Sequence, residues 1–201
     1  MQSSEREFEC SSGQSVRFAL LTHRRYPWLA QAEAVQRLRT GFRRAAQRRP
    51  WVWEAAVVLP DVVYGVWRLP ADDPDPRPRW RAVKAHCTRH LRHAPGLPEG
   101  RLWARGVEWS TLDAASSEAE AAEWRRQIDW MHWEPVRRGF VARPEAWRYS
   151  SYRRWLARGD YPEAWPGPSA VPSAAEGEAE EVLLSGAGAG TAAAGGAEAL
   201  R

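Results

Sequence analysis

The 201-residue sequence has one lysine, two cysteines and no long apolar run, and each shortage excludes something. No stretch approaches the ~20 consecutive apolar residues that a membrane-spanning helix requires, so membrane insertion is not expected. Cys10 and Cys87 lie far apart, and neither belongs to a CxxC pair. Two such thiols define no disulfide framework. The opening MQSSEREFECSSGQ lacks the basic start and apolar stretch of a secretory signal, which predicts a cytoplasmic protein. There is no Walker loop, no GxSxG and no internal repeat.

Against the single Lys84 stand 28 arginines, and there are 13 tryptophans. Guanidinium groups make forked contacts with phosphate, and aromatic rings offer faces on which unpaired bases stack, so this pair of excesses suits nucleic acid. A genome rich in G and C would swell the same residues without any functional demand, and composition alone leaves both readings open. The charge is uneven. From Pro166 onward there are five acids (Glu176, Glu178, Glu180, Glu181, Glu198) and one base, Arg201, a net of −4, which leaves +8 on residues 1–165. A basic body implies a polyanionic partner.

Residues 166–201 are mostly Ala, Gly, Ser, Pro and Glu, too poor in large apolar groups to offset chain entropy, and are expected to be disordered, with 1–14 a flexible N-terminus. The body, 15–165, alternates. SVRFALLT at 15–22 reads as a strand, and 31–48 as a helix carrying Val35, Leu38 and Phe42 on one face, with Arg37, Arg39, Arg43, Arg44 and Arg48 projecting elsewhere. WVWEAAVVL at 51–59 and VVYGVWRL at 62–69 predict a hairpin about the Pro60–Asp61 turn. A second helix is expected over Trp80–Leu91, with Val83, Cys87 and Leu91 in register, and a strand at 107–112. Ser117 and Glu120 have the spacing of a capping box, opening a third helix through Trp124, Ile128 and Met131 that Pro135 should end near Glu134. The order β-α-β-β-α-β-α predicts an α+β, ferredoxin-like antiparallel sheet with helices on one face and further helices at the C-terminal end.

VVLPDVVYGVWRLP, PRWRAVKAHCTRHL, LWARG and above all IDWMHWEPVRRGFVARPEAWRYSSYRRWL, in this order, resemble the REP-associated tyrosine transposases, a bacterial branch of the single-tyrosine HUH transposases. The resemblance spans about Val16 to Trp165. It implies a particular chemistry: two histidines in an H-x-H arrangement on the second hairpin strand hold Mg or Mn, a helix tyrosine attacks a phosphodiester of single-stranded DNA, and a polar residue one turn on completes the metal shell. It also implies a hairpin DNA partner of the extragenic palindrome type.

The residues at those positions are different. The H-x-H positions hold Val62 and Tyr64, the nucleophile position holds Trp130, and the position one turn later holds Glu134. Valine offers no ligand, and a phenol with a pKa near 10 is a poor one for Mg or Mn. An indole has no ionisable oxygen. Glu134 with Asp61 alone does not make a metal site. The expectation is a protein with no cofactor and no intact catalytic residue, in which Trp130 and Trp133 fill the vacated pocket or stack on a base. Tyr149 and Tyr152 are read as packing residues. His86 and His90, one turn apart beside Cys87, are short of a closed zinc site, and His132 packs or hydrogen-bonds within its motif. Arg24, Arg25, Arg105, Arg137, Arg138, Arg143 and Arg148 are the candidate DNA contacts, since phosphate binding needs no metal. Three functions stay open: a catalytically defective binder of hairpin or single-stranded DNA, an active transposase with relocated residues, and an interaction protein or decaying remnant without DNA affinity.

Overall fold

The structure, a computed structural model, describes residues 13–92, 94–97, 100–112 and 117–168. The expectations placed on the N-terminal residues 1–12 and on the tail from 169 lie outside the described residues, as does Cys10. Strands β1 (Ser15–Leu21), β2 (Val52–Leu59), β3 (Val62–Arg68) and β4 (Glu108–Leu112) alternate with helices α1 (Ala32–Arg48), α2 (Arg77–Leu91), α3 (Glu118–Arg137) and α4 (Tyr152–Ala157). The sheet runs β2-β3-β1-β4, antiparallel throughout. This is the ferredoxin-like arrangement, with β3 inserted between the two strands that α1 connects. Leu59 pairs directly with Val62, so the hairpin turns on Pro60 and Asp61 alone.

Helices cover both faces, where the sequence pattern suggested one. On the first face Val16, Phe18, Leu20, Val63 and Trp67 pack with Leu38 and Phe42 of α1 and Trp80, Val83 and Cys87 of α2. On the second, Ala55, Val57, Val62, Tyr64 and Val66 pack with Ile128, Trp130 and Met131 of α3 and Tyr152 and Trp155 of α4. A strand buried on both sides reads as a continuous apolar run, and VVYGVWR at β3 is one. Gly65 marks the tightest point. A Cβ there would lie 2.4 Å from Phe18 Cζ and 2.9 Å from Trp53 Cζ3. Gly65→Ala is therefore expected to lower stability by about 1–3 kcal/mol, read as a shift in the urea midpoint.

Most of the tryptophans are spent on packing. Trp28, Trp67 and Trp80 are fully buried, Trp51, Trp103, Trp130, Trp147 and Trp155 nearly so, and among the described tryptophans Trp109 alone is exposed. Rings Phe18, Phe42, Trp51, Trp53, Trp67 and Trp80 form one contiguous aromatic cluster under α1 and α2. Each such side chain removes roughly 150–250 Å² from water.

Two helix boundaries differ from expectation. Helix α2 begins at Arg77, with Pro78 in its first turn, where a missing N–H costs nothing. Helix α3 opens as expected, with Ser117 Oγ accepting from Glu120 N at 3.2 Å, but runs through Pro135 to Arg137. It stops instead at Gly139, whose φ is +72°. Gly139 N donates to Val136 O and Phe140 N to Pro135 O, both at 2.9 Å, the paired bonds of a Schellman closure. Proline is tolerated so near the end because it removes only one bond of the last turn. Among the described residues no helix is long and apolar enough to cross a membrane.

Candidate nucleic-acid interface

The β2–β3 turn is pinned where β1 ends. Thr22 N and Oγ1 each donate to Asp61 O at 3.0 Å, and Leu29 N donates to Pro60 O at 2.9 Å. This aims the nearly buried Asp61 carboxylate at the C-terminal end of α3. Arg138 there donates to Asp61 through both terminal nitrogens, at 2.7 and 3.0 Å, while Arg25 Nε reaches the same carboxylate at 3.0 Å. One turn back, Glu134 is 2% exposed and receives a two-pronged contact from Arg137 at 2.6 and 2.7 Å. Such forked pairs are the strong class of charge-assisted hydrogen bond.

Below these pairs lie the positions that the resemblance assigns to chemistry. Val62, Tyr64 and Trp130 share one cluster, as alternate residues of a strand must if they face one helix. The Tyr64 and Trp130 rings meet edge to face with centroids 5.1 Å apart. Trp130 thus fills the space, and Trp133 lies elsewhere, half-buried against Trp165 at 5.5 Å. Burial, and then the Glu134 charge, raise the Tyr64 phenol well above its ordinary range, so it stays a neutral hydroxyl.

These residues do not fit a divalent metal. Val62 carries no donor, the Tyr64 ring is packed edge to face against Trp130, and the oxygens of Asp61 and Glu134 accept from guanidinium groups. Among the described residues no three His, Cys, Asp or Glu side chains gather as a metal would need. His86 and His90 do lie ring to ring at 4.4 Å. Burial, then His90 and the guanidiniums of Arg44, Arg37 and Arg89, lower the His86 pKa, surroundings that repel a cation. Cys87 is fully buried and its thiol is pushed up to about 12 by burial, which makes it inert.

His132 proves to be the centre of a buried relay. Its ring has no exposed surface, with Nδ1 2.9 Å from Tyr161 Oη and Nε2 2.7 Å from Ser151 Oγ. Tyr161 donates to Asp129 at 2.7 Å, and Ser151 Oγ accepts from Ala56 N at 2.9 Å. These ends fix the directions between them: Nδ1–H donates to Tyr161 and Nε2 accepts from Ser151. The relay ties α3 to β2 and to the C-terminal segment. Tyr149 and Tyr152 are buried, as packing residues.

The seven candidate arginines fall into two groups. Arg25, Arg137, Arg138 and Arg143 meet carboxylates, the last Glu145 at 3.1 Å. Arg24, Arg105 and Arg148 are exposed, and no carboxylate contact is seen for them among the described residues. Thr22 bridges to Trp103, and Ala104 N donates to Leu21 O at 3.0 Å, so the segments bearing Arg24 and Arg105 meet at one end of β1. Arg105 also borders a cleft of about 630 Å³ beside Trp103, with Lys84, Arg89, Arg92 and Arg101, four cations outside the seven candidates. Arg24 and Arg25 both hold positive φ, +53° and +57°. For residues with a Cβ this costs roughly 1–2 kcal/mol each, and strain of this kind gathers at functional sites. Arg24→Gly is expected to leave stability unchanged or raise it by up to about 1 kcal/mol, measured by thermal melting.

No family profile matches the sequence. A REP-associated tyrosine transposase of Escherichia coli strain K12 is 31% identical over 135 residues, 66% of this chain and 73% of the relative. Among solved structures, a REP-associated tyrosine transposase bound to a REP hairpin superposes with a TM-score of 0.67 at 29% identity, over 81% of this chain and 90% of that one. The sheet order, the helices and the matched sequence agree: the chain belongs to the REP-associated tyrosine transposase family.

Proposed function

We propose that the protein is a catalytically defective member of its family that binds hairpin or single-stranded DNA of the REP palindrome type. One observation carries the reading. Where the family resemblance implies metal ligands and a nucleophile, Tyr64 and Trp130 pack ring against ring beneath two guanidinium–carboxylate pairs. A site filled in this way offers no ligand pair for a metal that would polarise a phosphodiester, and its one hydroxyl, that of Tyr64, is buried against Trp130 and held neutral. DNA binding draws on other atoms. Arg24 and Arg105 at the end of β1 remain exposed and free of carboxylate among the described residues, and the solved relative binds its hairpin on the same fold. Arg25, Arg137 and Arg138 keep part of each side chain exposed while their charge is partly balanced.

The test is a denaturing gel. Labelled single-stranded palindrome is incubated with the full chain and Mn²⁺ or Mg²⁺, and a covalent protein–DNA adduct is sought. The expected result is none at any metal concentration. An adduct would establish relocated catalytic residues and overturn the reading.

A further inference from the structure

On the sheet face opposite Trp130, a groove of about 900 Å³ runs between α1 and the segment 148–154. Its floor is apolar: Phe42, Trp53, Val58 and Val63. Trp53 is only half-buried, unlike the tryptophans of the core beneath it. Its rim is cationic. Arg39 and Arg43 stand one turn apart on α1, Arg148 and Arg154 stand across the gap, and all four are exposed.

Their partners separate them from the ion-paired arginines of this molecule. Arg39 and Arg148 lie over the Tyr149 ring, 5.6 and 4.9 Å from its centroid. Arg43 donates to Thr40 Oγ1 at 3.3 Å, and Arg154 to the backbone oxygens of Trp53 and Glu54 at 3.2 and 2.9 Å. No carboxylate contact is seen for any of the four among the described residues, whereas Arg25, Arg137 and Arg138 are ion-paired. Four unbalanced guanidinium groups around an apolar floor ask for a ligand that is anionic along a backbone and flat and apolar between its charges.

The wall opposite α1 is rigid. Val58 N donates to Tyr149 O and Ser151 N to Ala56 O, both at 2.8 Å, so residues 149–151 add to the free edge of β2. An edge already paired does not recruit a peptide strand, which argues against a protein segment binding by sheet extension.

We propose that this groove is a second nucleic-acid site, which seats an unpaired base of single-stranded DNA on Trp53 and Phe42 and its flanking phosphates on Arg39, Arg43 and Arg148. The inference rests on the DNA-binding reading but places a distinct contact on the sheet face opposite Trp130. Base stacking on aromatic faces is tolerant of sequence, and guanidinium–phosphate contacts add salt-sensitive affinity.

Fluorescein-labelled oligo-dT of about 12 nucleotides, within the length that a single such surface covers, and a labelled palindromic hairpin are titrated in parallel against the full chain. The proteins are wild type, Arg39→Ala/Arg43→Ala and Arg24→Ala/Arg105→Ala. The first variant is expected to bind oligo-dT about tenfold more weakly while hairpin affinity falls by less than about threefold. Photocrosslinking of iododeoxyuridine in the oligonucleotide is expected to map to Trp53, Phe42 or Tyr149. Unchanged oligo-dT binding by Arg39→Ala/Arg43→Ala, crosslinks confined to other residues, or equal binding of a poly-glutamate peptide would each overturn the groove. Loss of hairpin binding in wild type with oligo-dT binding intact would sink the hairpin reading and leave the groove standing.

Discussion

Acidification from pH 7 to pH 4 is expected to strip this fold of a large part of its stability, and His132 is the residue responsible. Burial, reinforced by the charges of Arg125 and Arg154, pushes its pKa down to about 3, against about 6.5 for a histidine in the unfolded chain. Between those values the unfolded chain binds a proton that the native protein refuses. The contribution is fully present above pH 6.5 and is lost as pH falls toward 3, at a slope approaching about 1.4 kcal/mol per pH unit. Below about 3 the native state protonates too and the slope ends. Asp129 acts in the opposite sense, since burial raises its carboxyl and protonating it favours the native state. The His132 contribution is therefore read by difference. His132→Asn should cost roughly 2–4 kcal/mol at pH 7, through lost packing and an unsatisfied relay. Its urea midpoint should then fall less steeply with acid than that of wild type. Parallel pH profiles would show that His132 does not titrate on unfolding.

Restoring chemistry is the second large effect. Val62, Tyr64 and Trp130 already face one another across the β3–α3 contact. Tyr64→His and Trp130→Tyr each shrink a side chain by more than Val62→His enlarges one, so the triple variant does not raise the summed side-chain volume of the site. It is expected to form a metal-dependent covalent adduct with palindromic single-stranded DNA, on the order of 100-fold or more above any wild-type background. Glu134 would keep its bond to Arg137, and adding Arg137→Ala should raise the yield further by freeing that carboxylate. A triple variant that folds yet stays inert would show that more than three residues separate this chain from catalysis. Wild type equal to the variant would mean that the chemistry never left.

The parts of the fold that were legible in the sequence are those written in local periodicity. The hairpin about Pro60–Asp61, the apolar stripe of α1 and the Ser117 capping box all stand where the pattern put them. What failed was non-local. The spacing of Trp124, Ile128 and Met131 marks a buried helix face but does not say which side of the sheet it meets, and α3 went to the second face. Pro135 was read as a stop because its local effect is strong, whereas Gly139 four residues on carried the actual signal. Most of the tryptophans, which composition offered as stacking platforms, turned out to be core.

The candidate site divides in the same way. Motif alignment brought Val62, Tyr64, Trp130 and Glu134 to one place, and the structure gathers them there. Periodicity could not pair Arg138 with Asp61, 77 residues away, so an arginine that neutralises a buried carboxylate looked identical to one open to phosphate. Arg39 and Arg43 were visible as an i, i+4 pair on the polar side of α1. Only the folded chain sets them across a groove from Arg148, with Trp53 lining it.

Whether recognition has outlived chemistry is decided by fluorescence anisotropy of a labelled palindromic hairpin against the full chain. The titration is run across a salt series with duplex of equal length as competitor. Submicromolar binding that prefers the hairpin and weakens steeply with salt is expected, with a slope reduced by about one for each phosphate-contacting arginine removed. Binding no tighter than duplex competes away, with the same slope after Arg24→Ala/Arg105→Ala, would contradict it.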